Sequence, residues 1–301
     1  MKRKIALATT ALLITATLTA CSTADKKDVS ASETVSEPKI SEGKISSGSV
    51  TVYDYGNIKL HAYATGDALG DEAYLLESDN SLIGIELPSF TENLNSWQEY
   101  IKGINKPFND IFISSHATGE SYLDRINVYA TEKAKKSIES GSVFATTQGL
   151  YETFGDDFHG GNDMAKVTNT VSEGTINIAG IDFKLIDNGD AYDIEIPEIN
   201  AIYTHMLGKT THSILVSADG MNSMLNTLNN YKDNGYNMIL SAHSEPEGQD
   251  AVEEKIAYVE KAKELYSECK TADEFISEMK KAYPNYSGEN YLEMSAGYLY
   301  Q

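Results

Sequence analysis

Cysteine is almost absent from this 301-residue sequence, which holds only Cys21 and Cys269. Two thiols cannot build a disulfide framework or a cysteine-rich zinc module, so any metal would have to be held by histidine and carboxylate. Basic residues are scarce too: 24 Lys and Arg face 45 Asp and Glu, a net charge of −21. Such an excess of acid repels phosphate backbones and anionic headgroups, which argues against nucleic-acid binding and against a polybasic membrane patch. Long apolar runs are also missing. The longest, from Ile5 to Leu18, is interrupted by threonines and falls short of the roughly 20 residues of a membrane span. What remains is 41% hydrophobic and 23% charged, close to the composition of a folded domain with a core of its own.

The N-terminus, Lys2-Arg3-Lys4 followed by that apolar run and then Leu18-Thr19-Ala20-Cys21, reads as an export signal over residues 1–20. Its LTAC ending resembles the lipobox of bacterial lipoproteins. The resemblance implies cleavage before Cys21 and a lipid-modified cysteine, which would anchor the chain to the outer face of the cytoplasmic membrane without a spanning helix. Cys269 is then left as an odd thiol, the kind that usually acts as a small buried hydrophobe, and no role is assigned to it. Residues 21–48 are Ser, Thr, Lys, Glu and Asp with few branched or aromatic residues, the composition of a flexible tether. One domain over residues 49–301 is expected, its structure starting near Val50.

Alternation from Val50 to Tyr55 and from Ile58 to Ala64 predicts strands, as do residues 73–77 and 81–86 around the turn formers Ser78-Asp79-Asn80. Leu94, Trp97, Tyr100, Ile101 and Ile104 recur at helical spacing, and residues 110–114 return to a buried strand. A second hairpin is expected from Thr175 to Leu185 with its turn at Gly180, then two strands between Ile194 and Thr204 split by Pro197-Glu198. Helices at 217–230, 250–267 and 271–282 and a strand at 237–240 complete the pattern. Two strand-rich halves, each closed by helices, argue an α/β fold: an αββα sandwich of two mixed sheets covered outside by helices.

Three of the six histidines, His116, His205 and His243, follow strands, where ligand crevices of α/β folds open. The order of the strand pair ending at Ile85-Glu86, a helix, SHATGES at 115–121, NVYATEKA at 127–134, IEIPEINAIYTHML at 194–207 and MILSAHSEP at 238–246 resembles the metallo-β-lactamase fold of hydrolases. The likeness spans about residues 50–301. It implies a zinc site built on an HxHxDH motif, but here only the first histidine, His116, is present; Thr118, Glu120 and Ser121 stand at the other three places. Residues 186–193, where the family has a further histidine, offer only Asp187, Asn188, Asp190 and Asp193. The family's bridging aspartate falls on Met206, with His205 in the glycine place, and the last histidine matches His243.

Two adjacent dications cannot be held by that set, since Thr, Ser and a thioether replace imidazoles and a carboxylate. One reading follows: a membrane-anchored lipoprotein that keeps the scaffold, has largely lost the dinuclear zinc site and serves a non-catalytic or binding role, with no cofactor. The alternative is a metal-dependent hydrolase with a single altered site using His116, Glu120 and His243, with His205 or His212 as weaker donors and zinc as the metal. The ligand, small molecule or protein, is not specified by the sequence.

Other patterns carry less. Gly160-Gly161 has no phosphate-loop lysine after it, and Ser241 and His243 sit two apart without a nucleophile elbow around them. Tyrosine, at 19 residues against 8 phenylalanines, is concentrated at the C-terminus, including Tyr283, Tyr286, Tyr291, Tyr298 and Tyr300, where packing over the sandwich is the simpler role.

Overall fold

The computed structural model describes residues 35–159, 163–189 and 191–301. The stretch read as an export signal, Cys21, the first part of the expected tether, the Gly160-Gly161 pair and Asp190 lie outside the described residues.

Alternating side chains and turn-forming punctuation produce two sheets. The first holds β1 (Lys39–Lys44), β2 (Ser49–Asp54), β3 (Lys59–Ala64), β4 (Glu72–Glu77), β5 (Leu82–Ile85), β6 (Phe108–Phe112), β7 (Asn127–Thr131) and β8 (Asn169–Val171), paired in sequence order. Strands β1 to β5 form an antiparallel meander, and β5 to β8 run parallel, with α1 (Thr91–Ile104) as the first crossover. The helices α2 (Glu132–Ser140) and α3 (Ser142–Phe154) lie between β7 and β8. The second sheet comprises β9 (Gly174–Ile178), β10 (Ile181–Asn188), β11 (Ala191–Ile196), β12 (Ala201–Thr204), β13 (Met238–Ser241) and β14 (Ser244–Glu247), again with sequential neighbours paired. There β12 and β13 are parallel and joined through α4 (Ala218–Asn234), and α5 (Gln249–Glu268), α6 (Ala272–Ala282) and α7 (Glu289–Leu299) follow.

The period-2 pattern sorts side chains into three apolar layers. Leu60, Ala62, Tyr74 and Leu76 of the first sheet meet Phe183, Leu185, Ile194 and Tyr203 of the second between the sheets. Their neighbours Tyr63, Ala73 and Leu75 face outward and pack on Leu94, Trp97 and Ile101 of α1. Ile202 and Ile239 face the other way, onto Met221 and Leu228 of α4 and Val252 and Val259 of α5. This is the αββα sandwich that the pattern predicts.

Two details differ from the sequence reading. The first sheet begins at Lys39, inside the stretch expected as tether, because β1 is exposed along its whole length and needs only backbone pairing with β2, which leaves no apolar signal. Helices α2, α3 and α7 are additions to the expected elements. In α7 the buried stripe is Leu292, Ser295, Ala296 and Leu299, whose two small residues blur the apolar period.

Candidate metal centre

Both sheets send strand ends to one edge of the sandwich. His116 lies four residues beyond β6, His205 directly follows β12, and His243 stands two residues beyond β13. The parallel register sets Thr204 opposite Ser241, and the Ala242 N–H donates to the His205 carbonyl at 3.0 Å, so these two histidine loops travel together. The loop carrying His116 is fixed by Glu86, a fully buried residue just past β5. Its carboxylate accepts the backbone N–H groups of Ser114 (3.0 Å), Ser115 (2.8 Å) and His116 (3.0 Å) and the hydroxyl of Tyr203 (2.9 Å). Tyr203 belongs to β12, so one carboxylate ties the His116 loop to the sheet that carries His205.

The outcome is a histidine triad. His243 Nε2 lies 3.2 Å from His116 Nε2 and 3.2 Å from His205 Nε2. Among the described residues this is the one group of three metal-type side chains whose ligand atoms all approach within 4.8 Å. Behind it stands Asp71, completely buried in the turn before β4. Its carboxylate approaches His243 Nδ1 at 3.3 Å and His116 Nδ1 at 3.8 Å. Neither contact is aligned as a hydrogen bond, so both Asp71 oxygens and both Nδ1 atoms are buried without a hydrogen-bond partner among the described residues.

Burial opposes ionisation of Asp71, but the adjacent His116 and His243 rings outweigh it and bring its carboxyl down to about 2. Burial first, and then the repulsion that a charge on His205 would meet from a charge on His243 or His116, lowers His205 to about 3. An ionised Asp71 can only accept, so a ring that turned an Nδ1–H to this carboxylate would leave its Nε2 lone pair facing the other two rings. Converging lone pairs repel unless a cation sits among them. Two nitrogens bound to one tetrahedral zinc at about 2.0–2.1 Å each are separated by about 3.3 Å, which matches the 3.2 Å spacing. The donor set fits one zinc-like ion with an open fourth position.

The other residues singled out from the sequence go elsewhere. Glu120 is absent from the triad: its carboxylate accepts the Lys166 backbone N–H at 2.7 Å and Lys166 Nζ at 3.3 Å. A carboxylate one methylene longer than aspartate has reached outward to a cation. His212 is buried in the helical layer, its Nδ1 3.1 Å from the Tyr258 hydroxyl. Ser121 donates to Asp163 Oδ2 at 3.0 Å. Thr118 is buried with its hydroxyl unpartnered among the described residues. His205, read from the sequence as standing in the family's glycine place beside Met206, brings its own ring to His243. Sequence reasoning misses Asp71 and Glu86 as site residues. Glu86 carries a positional hint at the end of an apolar strand, whereas Asp71 sits in an ordinary Gly-Asp turn with no signal of its own.

No protein-family model matches the sequence, and a sequence search of curated proteins finds no match. Solved structures do match. A metallo-beta-lactamase family protein from Thermus thermophilus superposes with a TM-score of 0.58 at 13% identity, over 81% of this chain and 91% of that one. The stereoselective inverting sec-alkylsulfatase Pisa1 from Pseudomonas sp. gives a TM-score of 0.55 at 15% identity over 80% of this chain. This chain spans about half of that enzyme, covering 48% of it. Identities this low establish the architecture: the chain has the metallo-β-lactamase fold.

Proposed function

We propose that this chain is a metal-dependent hydrolase with a single ion held by His116, His205 and His243, attached to the outer face of the membrane through lipid on Cys21. The observation that carries the reading is the meeting of three imidazoles, with His243 Nε2 3.2 Å from the Nε2 of each of the other two, in front of a buried carboxylate without a hydrogen-bond partner among the described residues. It favours the altered single-metal alternative over a purely non-catalytic scaffold, with His205 in the place that Glu120 was expected to take. A second ion is not part of the proposal, because Thr118 and Ser121 replace its imidazoles.

When bound, a zinc-like ion with three histidine donors supplies Lewis acidity and makes water a nucleophile near neutral pH. The chain's own residues prepare that chemistry. Asp71 sets a carboxylate at the Nδ1 side of two of the rings, Glu86 fixes the loop beneath His116, and the parallel β12–β13 pair aligns His205 with His243. The export signal and LTAC support the anchoring half of the proposal, and no helix among the described residues is long and apolar enough to cross a membrane.

Zinc titration by calorimetry, with thermal melting alongside, tests the site: one equivalent should bind and raise the melting temperature. Two tightly bound equivalents, or none, overturn the single-ion reading. Ester, amide and sulfate-ester hydrolysis that a chelator abolishes and zinc restores is expected; zinc binding with every such substrate left intact would make the centre a binding site only. For the anchor, Cys21→Ser should release the processed chain from membranes, and continued tight membrane association would refute it.

A further inference from the structure

A cavity of about 330 Å³ opens beside the triad, between the end of β12 and one face of α4, and His205 itself forms part of its wall. The rest is apolar on one side, from Met206, Leu207, Met224 and Leu228, with Ser223 at the rim. Cavities of similar size around Asp67 and Phe90, and around Trp97 and Tyr122, touch none of the three histidines.

The cavity wall is free of charge in a chain that carries 45 acidic and 24 basic residues. Among the described residues, no carboxylate, ammonium or guanidinium lines it. Asp193, which bonds to the lining residues Tyr231 and Asn188, is buried and already engaged: the Tyr231 hydroxyl donates to one oxygen and Asn188 Nδ2 to the other, the latter at 3.0 Å. In the metal-free chain, a charged group seated against this wall would lose part of its hydration without meeting a counter-charge, which is unfavourable. An uncharged apolar group instead gains from the two thioethers and two leucines, and methionine adapts its shape to a flexible chain. The volume is at the lower end of small-molecule sites, equal to roughly ten water molecules at about 30 Å³ each.

We infer that this cavity is the subsite for the uncharged, short acyl or alkyl arm of the substrate, whose reacting bond then lies at the histidine triad. The inference rests on the proposed metal centre for its catalytic meaning. The binding of the arm depends only on the cavity.

The test uses the metal-free chain labelled with ¹³C at its methionine methyls and titrates in hexanamide, hexanoate or hexylammonium. Hexanamide should shift the Met206 and Met224 resonances saturably and bind about tenfold or more tightly than either charged analogue. Ser223→Trp, at an exposed rim position, and Thr227→Phe, on the same helix face, should each weaken hexanamide binding by about tenfold or more while zinc affinity measured by calorimetry stays unchanged. Equal binding of hexanoate or hexylammonium, absence of methyl shifts, or hexanamide binding that survives both variants would overturn the subsite. Failure of zinc to bind, with the methyl shifts intact, would overturn the metal centre and leave the subsite standing, so the two claims fail separately.

Discussion

Two histidine sites in this fold are built from similar materials and end differently. In the helical layer, His212 Nδ1 meets the Tyr258 hydroxyl at 3.1 Å, and the buried Lys255 ammonium donates to the Thr211 carbonyl while lying 5.0 Å from the Tyr258 ring and 5.6 Å from Tyr286. At the strand ends, His116, His205 and His243 face one another, and the carboxylate behind them has no hydrogen-bond partner among the described residues. The first arrangement has partners for its polar groups; the second is completed only by something added. Unmatched buried polar atoms cost stability, so a cluster that concentrates them at the mouth of a sandwich points to a ligand, whereas a matched one points to packing.

The largest effect should come from the support of the strand-end site. Glu86→Ala removes the acceptor of three backbone N–H groups and of Tyr203, and should cost more than about 3 kcal/mol in chemical denaturation. A loss under about 1 kcal/mol would mean that the His116 loop is held by other contacts, and the contrast between supported and self-sufficient sites would weaken.

Next is the triad itself. His205→Ala should lower zinc affinity by at least about 100-fold in calorimetry while leaving metal-free stability level or slightly raised, because the removed ring crowds two others. His212→Asn should leave zinc affinity alone. If both substitutions weaken zinc binding equally, the two sites do not divide as described.

The helical-layer site has its own pH signature. Burial lowers Lys255 from 10.5 to about 8, against the opposing charges of Glu247 and Glu254. The unfolded chain therefore holds this proton more tightly, so the burial penalty is complete below pH 8 and is relieved as pH rises toward 10.5. Stability should climb by about 1–2 kcal/mol between about pH 8 and 10 in urea titrations, before tyrosine ionisation in the unfolded chain reverses the trend. Lys255→Met should flatten that rise, and an unchanged pH profile in the variant would show that another group causes it.

The smallest effect is expected at His212. Replacing it with asparagine should cost about 1 kcal/mol, the worth of one hydrogen bond to Tyr258, with no effect on hydrolysis. A loss of activity at constant zinc affinity would draw the helical layer into the function.

Much of the sandwich can be read from period and turn residues. The hairpin at Ala179-Gly180 is an example, both residues having positive φ, as a tight two-residue turn between twisted strands requires. The strand-end positions of His116, His205 and His243 are also visible, since each follows an apolar run. Their meeting is not. Glu120 looks the better third donor because it stands inside the motif, yet Lys166, 46 residues away, holds its carboxylate. In the C-terminal segment, Tyr286 stacks on Tyr258 and Tyr283 packs against it at a tilt, whereas Tyr298 stays exposed, and nothing in their spacing distinguishes them.

The sequence alone determined the acidic charge, the short apolar N-terminal run with its LTAC ending and the two strand-rich halves, because each is a matter of composition or local period. Only the tertiary structure decided that three histidines, the outer two separated by 127 positions in the chain, come together and that Asp71, in an ordinary turn, stands behind two of them. Local pattern fixes which face a side chain takes on its own strand. Which strand ends meet is set by the register of two sheets packed on a common core, and that register is a property of the whole fold.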